Sequence, residues 1–186
     1  MKKFLVIGNP IEHSLSPELH NYWIKNSGVN AIYEKKKINE GQLEQIISQV
    51  KDNKIRGINV TVPFKKTVIP YLDELSDEAQ NTQSVNTIYK KDDKIIGHNT
   101  DIFGFETSIK KAEYYPENKE VLILGAGGVV PSIIFSLIKM KASKIKISNR
   151  TKEKAENLKK LFKDIEVIKW GEIPNFDMII NATSLG

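Results

Sequence analysis

The 186-residue chain contains no cysteine, which excludes disulfides, thiolate metal ligands and a cysteine nucleophile. It also lacks a long apolar run. Stretches such as VLILGAGGVV fall well short of the roughly 18 consecutive apolar residues of a membrane span, and no membrane partner is expected. The opening MKKFLVIGNP has too short an apolar segment for a secretion signal, which places the chain in the cytoplasm. Arginine is almost missing, with only Arg56 and Arg150 among 28 basic residues. The net charge of +5 is spread evenly: residues 1–100 hold 14 Lys and Arg against 12 Asp and Glu, and residues 101–186 hold 14 against 11. Neither half is a basic module, so no nucleic-acid partner is expected. What remains, 40% hydrophobic and 27% charged, is the composition of a folded globular chain long enough for one large or two small domains.

The pattern along the chain predicts an α/β fold. Strand-like runs at Phe4 to Ile7, Ala31 to Glu34, Ile55 to Val62, Val85 to Tyr89 and Lys94 to Gly97 alternate with helical segments, which implies a mostly parallel sheet. A first helix starts at SPEL, with Ser16 as cap, Pro17 in the first turn and Gly28 as its stop. A second covers about Glu40 to Val50, where Leu43, Ile46, Ile47 and Val50 recur at helical spacing. The polar segment KKAEYYPENKE marks a boundary, giving domains 1–114 and 115–186. Beyond it come a strand at Glu120 to Leu124, a glycine turn, a helix to about Met140, a strand at Lys144 to Ser148, a helix to about Phe162 and a strand at Asp177 to Ile180. This is the opening of a Rossmann-type domain, short of the two halves such a sheet normally has.

A strand leading into GAGGVV and then a helix is the context in which a glycine motif carries meaning. Gly125 permits the tight turn, Gly127 lets the backbone approach a pyrophosphate, and the turn Gly125, Ala126, Gly127, Gly128 and Val129 hands the anion to a helix N-terminus. Val130 stands where the fingerprint has Gly or Ala, and should push helix and strand slightly apart. An NAD site has a carboxylate at the end of the next strand. Here that strand ends in Asn149, Arg150 and Thr151, with Lys154 one turn on. A guanidinium pairs with a 2′-phosphate or stacks on adenine, which points to NADP.

Polar groups of the first half gather where strands or turns meet helices: GNPIEHSLSPELHN, NVTVPFKK, SVNT and GHNTD. Hydroxyls, amides, one carboxylate and one lysine suit a small polyhydroxylated acid better than a metal or a nucleic acid. In INVTVPFKK, Ile58, Val60 and Val62 alternate with Asn59 and Thr61 as in a half-buried strand, and Pro63 stops the pattern.

The ordered series of these motifs with GAGG, SNRT and NATSLG resembles the shikimate dehydrogenase family over essentially the whole chain. The resemblance implies reduction of 3-dehydroshikimate to shikimate with NADPH on the way to chorismate and the aromatic amino acids, by a substrate domain and a Rossmann domain. It implies that Ser14 and Ser16 bind the substrate carboxylate, that Asn59, Thr61, Asn86 and Asp101 bind ring hydroxyls, and that Lys65 and Asp101 form the catalytic pair. Lys66 should point elsewhere. Asp77 matches a family position near the cofactor and reads equally as a helix-start acid. The family usually has GAVNT where this chain has QSVNT, so altered packing is expected beside Asn86. The family also continues past NATSxG, which makes the Rossmann domain incomplete in this chain. Two other readings stand beside the leading one: an NAD-dependent quinate/shikimate dehydrogenase, and a non-catalytic shikimate-binding fragment. The expected partner is a small-molecule substrate, with the chain a monomer or homodimer and no metal.

Overall fold

The computed structural model describes residues 1–183 and Leu185; Ser184 and Gly186 of the NATSLG motif lie outside the described residues. The chain folds as two compact units, Met1–Thr100 and Asp101–Gly186.

The first unit holds strands β1 (Lys2–Gly8), β2 (Ala31–Lys37), β3 (Gly57–Val60), β4 (Glu74–Leu75), β5 (Thr87–Lys91) and β6 (Lys94–His98). Its helices are α1 (Ser16–Asn26), α2 (Leu43–Lys51), α3 (Phe64–Thr67) and α4 (Asp77–Thr82). The strand order is β2-β1-β3-β5-β6-β4. Every neighbouring pair is parallel except β3–β5 and β5–β6, so β5 alone runs against the rest. Period-two alternation sorts the side chains. Leu5, Ile7, Ile58, Val60 and Ile88 enter the main core with Leu43, Ile46, Ile47 and Val50 of α2, the four residues whose spacing predicts that helix. Val6 and Tyr33 face the other way, against Ile24 of α1.

The second unit holds α5 (Asp101–Lys111), β7 (Glu120–Leu124), α6 (Val130–Lys139), β8 (Lys144–Ser148), α7 (Lys152–Leu161), β9 (Ile165–Ile168) and β10 (Met178–Asn181). Its sheet is wholly parallel in the order β10-β7-β8-β9. Val121, Ile123, Ile145 and Ile147 form the core with Val130, Ile133, Ile134 and Leu137 of α6. The units divide ahead of the KKAEYYPENKE segment because α5 packs on α6: Lys139 pairs with Glu106 at 2.8 Å and Ser136 Oγ donates to the Ile102 carbonyl at 3.5 Å. Lys146 is buried in the middle of β8, where its ammonium pairs with Glu120 and donates to the Asn175 carbonyl at 2.6 Å. Among the described residues no helix is long and apolar enough to cross a membrane.

Candidate functional site

In the first unit, the predicted polar groups emerge from loops that backbone hydrogen bonds stitch together at one end of the sheet. Thr61 N donates to Ile7 O (3.0 Å), Asn9 N to Val62 O (2.9 Å), Val60 N to Asn86 O (2.8 Å), Val85 N to Lys65 O (2.8 Å) and Asn86 N to His98 O (3.1 Å). The loop after β1, the turn after β3 and the SVNT segment are therefore one surface.

The loop after β1 carries the two serines. Ile11 is buried and anchors it. Glu12 is clamped to β2: Lys37 Nζ donates to its Oε1 at 2.9 Å, Lys35 Nζ donates to its carbonyl at 2.5 Å, and its Oε2 accepts Ile11 N at 2.9 Å. The Lys37 hydrogen bond is the largest of the causes that lower the Glu12 carboxyl to about 2. Ser16 is the first helical residue of α1, not its cap; the cap position falls on Leu15 and no side chain caps the helix. Ser14 Oγ instead accepts Ser16 N at 3.4 Å, so the two half-buried serines share one turn.

At the end of β3, Ile58 and Val60 are buried but Val62 is 54% exposed. The alternation breaks because the ladder ends at Val60 and the chain turns through the cis Val62–Pro63 bond into α3. Phe64 is buried in that short helix, Lys65 is half-buried and Lys66 is exposed. Asn59 is tied up within the protein. Its Oδ1 accepts Tyr33 Oη–H at 2.7 Å, and its Nδ2 donates to Asn86 O at 3.2 Å and to Thr87 Oγ1 at 3.1 Å.

Asn86 follows α4. Its Oδ1 accepts Thr100 N at 3.0 Å and Thr87 Oγ1–H at 3.0 Å, and its Nδ2 donates to Thr100 Oγ1 at 2.9 Å. The QSVNT departure is absorbed before it: Gln83 takes the left-handed conformation (φ 48°) that closes α4. Buried Asn99 then holds the Ser84 carbonyl (2.9 Å) and Thr82 Oγ1 (3.1 Å). Asp77 is the exposed first residue of α4, where Ser76 caps by accepting Ala79 N at 3.3 Å. An acid there suits the helix dipole, the plainer of its two expected roles. Asp101 opens α5 in the second unit.

In the second unit, Leu124 sits in register between Ser148 of β8 and Asn181 of β10. The glycine turn, SNRT and NAT segments thus leave the sheet side by side at the carboxyl ends of parallel strands, where open α/β sheets bind ligands. Gly125 has φ +109°, and a Cβ there would lie 2.7 Å from the Ala182 carbonyl oxygen, so two constraints demand glycine. A Cβ on Gly127 would meet only Ala182 O, at 3.9 Å, so packing within the chain does not require that glycine. Among the described residues the space beside Gly127 is open. Val130 is fully buried and Pro131 sits in the first turn of α6, whose N-terminus has no side-chain cap. Beside the turn, Asn149 Nδ2 donates to Thr151 O at 2.8 Å, Thr151 is the N-cap residue of α7, and Arg150 and Lys154 are exposed. A glycine turn leading into a helix N-terminus, next to the strand end that carries Arg150, fits a phosphorylated dinucleotide.

Sequence reasoning missed Tyr33, Thr87, Thr100 and Asn99, which organise the named residues. Thr87 lies in SVNT, and Asn99 and Thr100 lie in GHNTD, so those motifs held the signal for three of them; for Tyr33 it was the HN of SPELHN, whose Asn21 clamps the Tyr33 backbone in both directions: Nδ2 to Tyr33 O at 2.8 Å, and Tyr33 N to Oδ1 at 3.0 Å.

A polar surface on one α/β unit, followed by a parallel α/β unit with a glycine turn beside the strand that ends in SNRT, is the arrangement of a dehydrogenase of the nicotinamide-dinucleotide type. Two family descriptions cover the chain: the shikimate dehydrogenase substrate binding domain matches residues 6–88, and shikimate / quinate 5-dehydrogenase matches residues 108–185. The chain belongs to the shikimate dehydrogenase family. It is 62% identical to a shikimate dehydrogenase (NADP(+)) of Pelagibacter ubique, over 100% of this chain and 70% of that one. The crystal structure of shikimate dehydrogenase from Aquifex aeolicus matches with TM-score 0.91 and 40% identity, covering 100% of this chain and 70% of that one. The enzyme of Thermus thermophilus in complex with NADP(H) and shikimate matches with TM-score 0.87 and 30% identity, covering 98% and 69%.

Proposed function

We propose that this chain carries out the NADP-dependent, reversible reduction of 3-dehydroshikimate to shikimate, a step toward chorismate and the aromatic amino acids. The observation that carries the reading is the stitched surface of the first unit. Thr61, Lys65 and Asn86 sit on loops whose backbones bond to one another, and Asn9, at the start of the loop that carries the two serines, bonds to the same group. Ser14 and Ser16 receive the substrate carboxylate, and Thr61 and Asn86 receive ring hydroxyls. Asn59 belongs to the same group, with the part it plays set by its partners within the protein.

Lys65 and Asp101 handle the proton. In reduction, the nicotinamide supplies hydride to the ketone carbon and negative charge develops on its oxygen. The Lys65 ammonium stabilises that oxygen and gives it a proton; in the reverse direction the lysine amine takes the hydroxyl proton. Asp101 accepts a hydrogen bond from the neighbouring ring hydroxyl. In the second unit, Gly125 to Val129 and the α6 N-terminus hold the pyrophosphate, while Arg150, with Asn149, Thr151 and Lys154, takes the 2′-phosphate. Asp77 lies near the cofactor in this reading.

Steady-state oxidation of shikimate with each nicotinamide is the test. The expected result is kcat/KM for NADP exceeding that for NAD by about 100-fold, a ratio that Arg150→Ala reduces by about 10-fold through loss of one charge-assisted pair. No turnover of shikimate with either cofactor, or a preference for NAD, rejects the assignment.

A further inference from the structure

Gly8 is the last residue of β1, where it stands in register with Lys37 of β2. On its other side runs the segment that leaves β3. Thr61 N donates to Ile7 O at 3.0 Å and Asn9 N donates to Val62 O at 2.9 Å, so backbone hydrogen bonds flank the glycine before and after it. Those bonds hold the two backbones at a fixed separation. Conformation does not account for a glycine here, because Gly8 lies outside the left-handed range that Gly28, Gly125 and Gly171 occupy. Space accounts for it. A Cβ at this position would lie 2.6 Å from Thr61 Cγ2, 3.0 Å from Ile11 Cδ1 and 3.1 Å from the Val62 carbonyl oxygen.

These three neighbours differ in how far they can give way. Ile11 Cδ1 is the tip of a flexible side chain, and the Val62 oxygen is only slightly too close. The Thr61 methyl is attached directly to Cβ and moves only by a change of rotamer. The space that Gly8 leaves is therefore the seat of that methyl. Because the Cβ of threonine is chiral, a seated methyl also fixes where the hydroxyl points. Among the described residues Thr61 Oγ1 bonds to no protein group, and it is not sealed in: the buried side-chain oxygen left without a partner is Thr67 Oγ1.

We propose that Gly8 is a positioning residue for the substrate surface: it seats the Thr61 methyl and thereby aims the Thr61 hydroxyl at a ring hydroxyl of the substrate. The proposal rests on the reading of Thr61 as a substrate ligand. A methyl group added at position 8 drives Thr61 into another staggered rotamer. One of the two remaining rotamers puts the hydroxyl into the crowded seat, and the other puts the methyl where the hydroxyl was. Both take the hydroxyl from its place.

The experiment introduces Gly8→Ala into two backgrounds, the wild type and Thr61→Ser, a variant that keeps the hydroxyl and has no methyl to displace. In the wild type, Gly8→Ala raises KM for shikimate by about ten-fold while kcat and KM for NADP stay within about two-fold, as for loss of a ground-state contact. In the Thr61→Ser background the same substitution changes KM for shikimate by less than about two-fold, because the two positions act through one contact. Three-bond couplings from Thr61 Cγ2 to its own backbone nitrogen and carbonyl report a single rotamer in the wild type and a different value in Gly8→Ala. An unchanged KM in Gly8→Ala, an equal rise in both backgrounds, or rotamer-averaged couplings in the wild type overturn the proposal. The wild-type couplings need no variant, so they decide the matter if Gly8→Ala does not fold. A wild-type protein that does not oxidise shikimate defeats the functional reading, whereas averaged couplings in an active protein defeat the seat alone.

Discussion

Glu12 stands two residues before Ser14 and fastens the serine loop to β2 through Lys35 and Lys37. Its carboxyl, lowered to about 2 chiefly by Lys37, stays charged through the whole working pH range. With the folded value depressed, its contribution to stability is present above its ordinary 4.5 and is lost only as pH falls through about 2. Glu12→Gln should therefore act on binding: KM for shikimate rises by about three-fold with kcat held within about two-fold, the signature of a loosened ground-state contact. His20 works in a different pH range. Desolvation against Tyr33 and Trp23 lowers its pKa from 6.5, so the folded protein favours the neutral ring. The stability this gives is present above the unfolded value and is lost as pH falls from 6.5 through the depressed folded value. Thermal midpoints at about pH 7.5 and about pH 5.5 should fall further for the wild type than for His20→Phe, which keeps a ring and cannot titrate. Equal losses in both proteins would show that His20 carries none of the effect.

At the scale of elements, α4 ends on a residue that an L-amino acid adopts at a cost. Gln83 sits at φ 48° and its Nε2 donates back to Gln80 O at 2.8 Å, a small compensation for the strain. Gln83→Gly should stabilise the protein by about 0.5 kcal/mol, the strain relief less the extra chain entropy of glycine, raising Tm by about 1–2 °C. An unchanged or lowered Tm would mean that the Gln80 contact outweighs the strain. What could be read from sequence at this scale follows the strength of each period. Leu43 to Val50 announces α2 because four apolar residues repeat on one face, β7 falls where a continuous apolar run places it, and β8 falls where Ile145 and Ile147 alternate with polar residues. β4 and β9 have two and four residues, too few for alternation to show, and α3 is a single turn behind a proline. Ser16 misleads because serine before proline is the usual cap signature, whereas here the helix begins on the serine itself. The strand around Tyr33 gives no sign that its hydroxyl bonds Asn59, since an aromatic residue in a strand reads as core and the partner lies 26 positions away.

For the molecule as a whole, each unit keeps its polar groups at one edge of its own sheet. The first gathers serines, Thr61, Lys65 and Asn86 on stitched loops, and the second lines up a glycine turn with Arg150 at the carboxyl ends of parallel strands. Seven ordered motifs made the family legible from sequence, and a chain that spans 70% of its Pelagibacter ubique relative retains them all. The division at Thr100 was less legible, because the KKAEYYPENKE segment has the composition of a linker while α5 before it already packs on α6. The most direct test of the proposed chemistry compares two adjacent lysines, one half-buried on the stitched surface and one exposed. In shikimate-dependent reduction of NADP, Lys65→Ala should lower kcat by about 1,000-fold, as loss of a general acid–base group does, and Lys66→Ala should stay within about two-fold of wild type. A Lys65→Ala protein within a few-fold of wild type, or equal losses at both positions, would contradict the role assigned to Lys65.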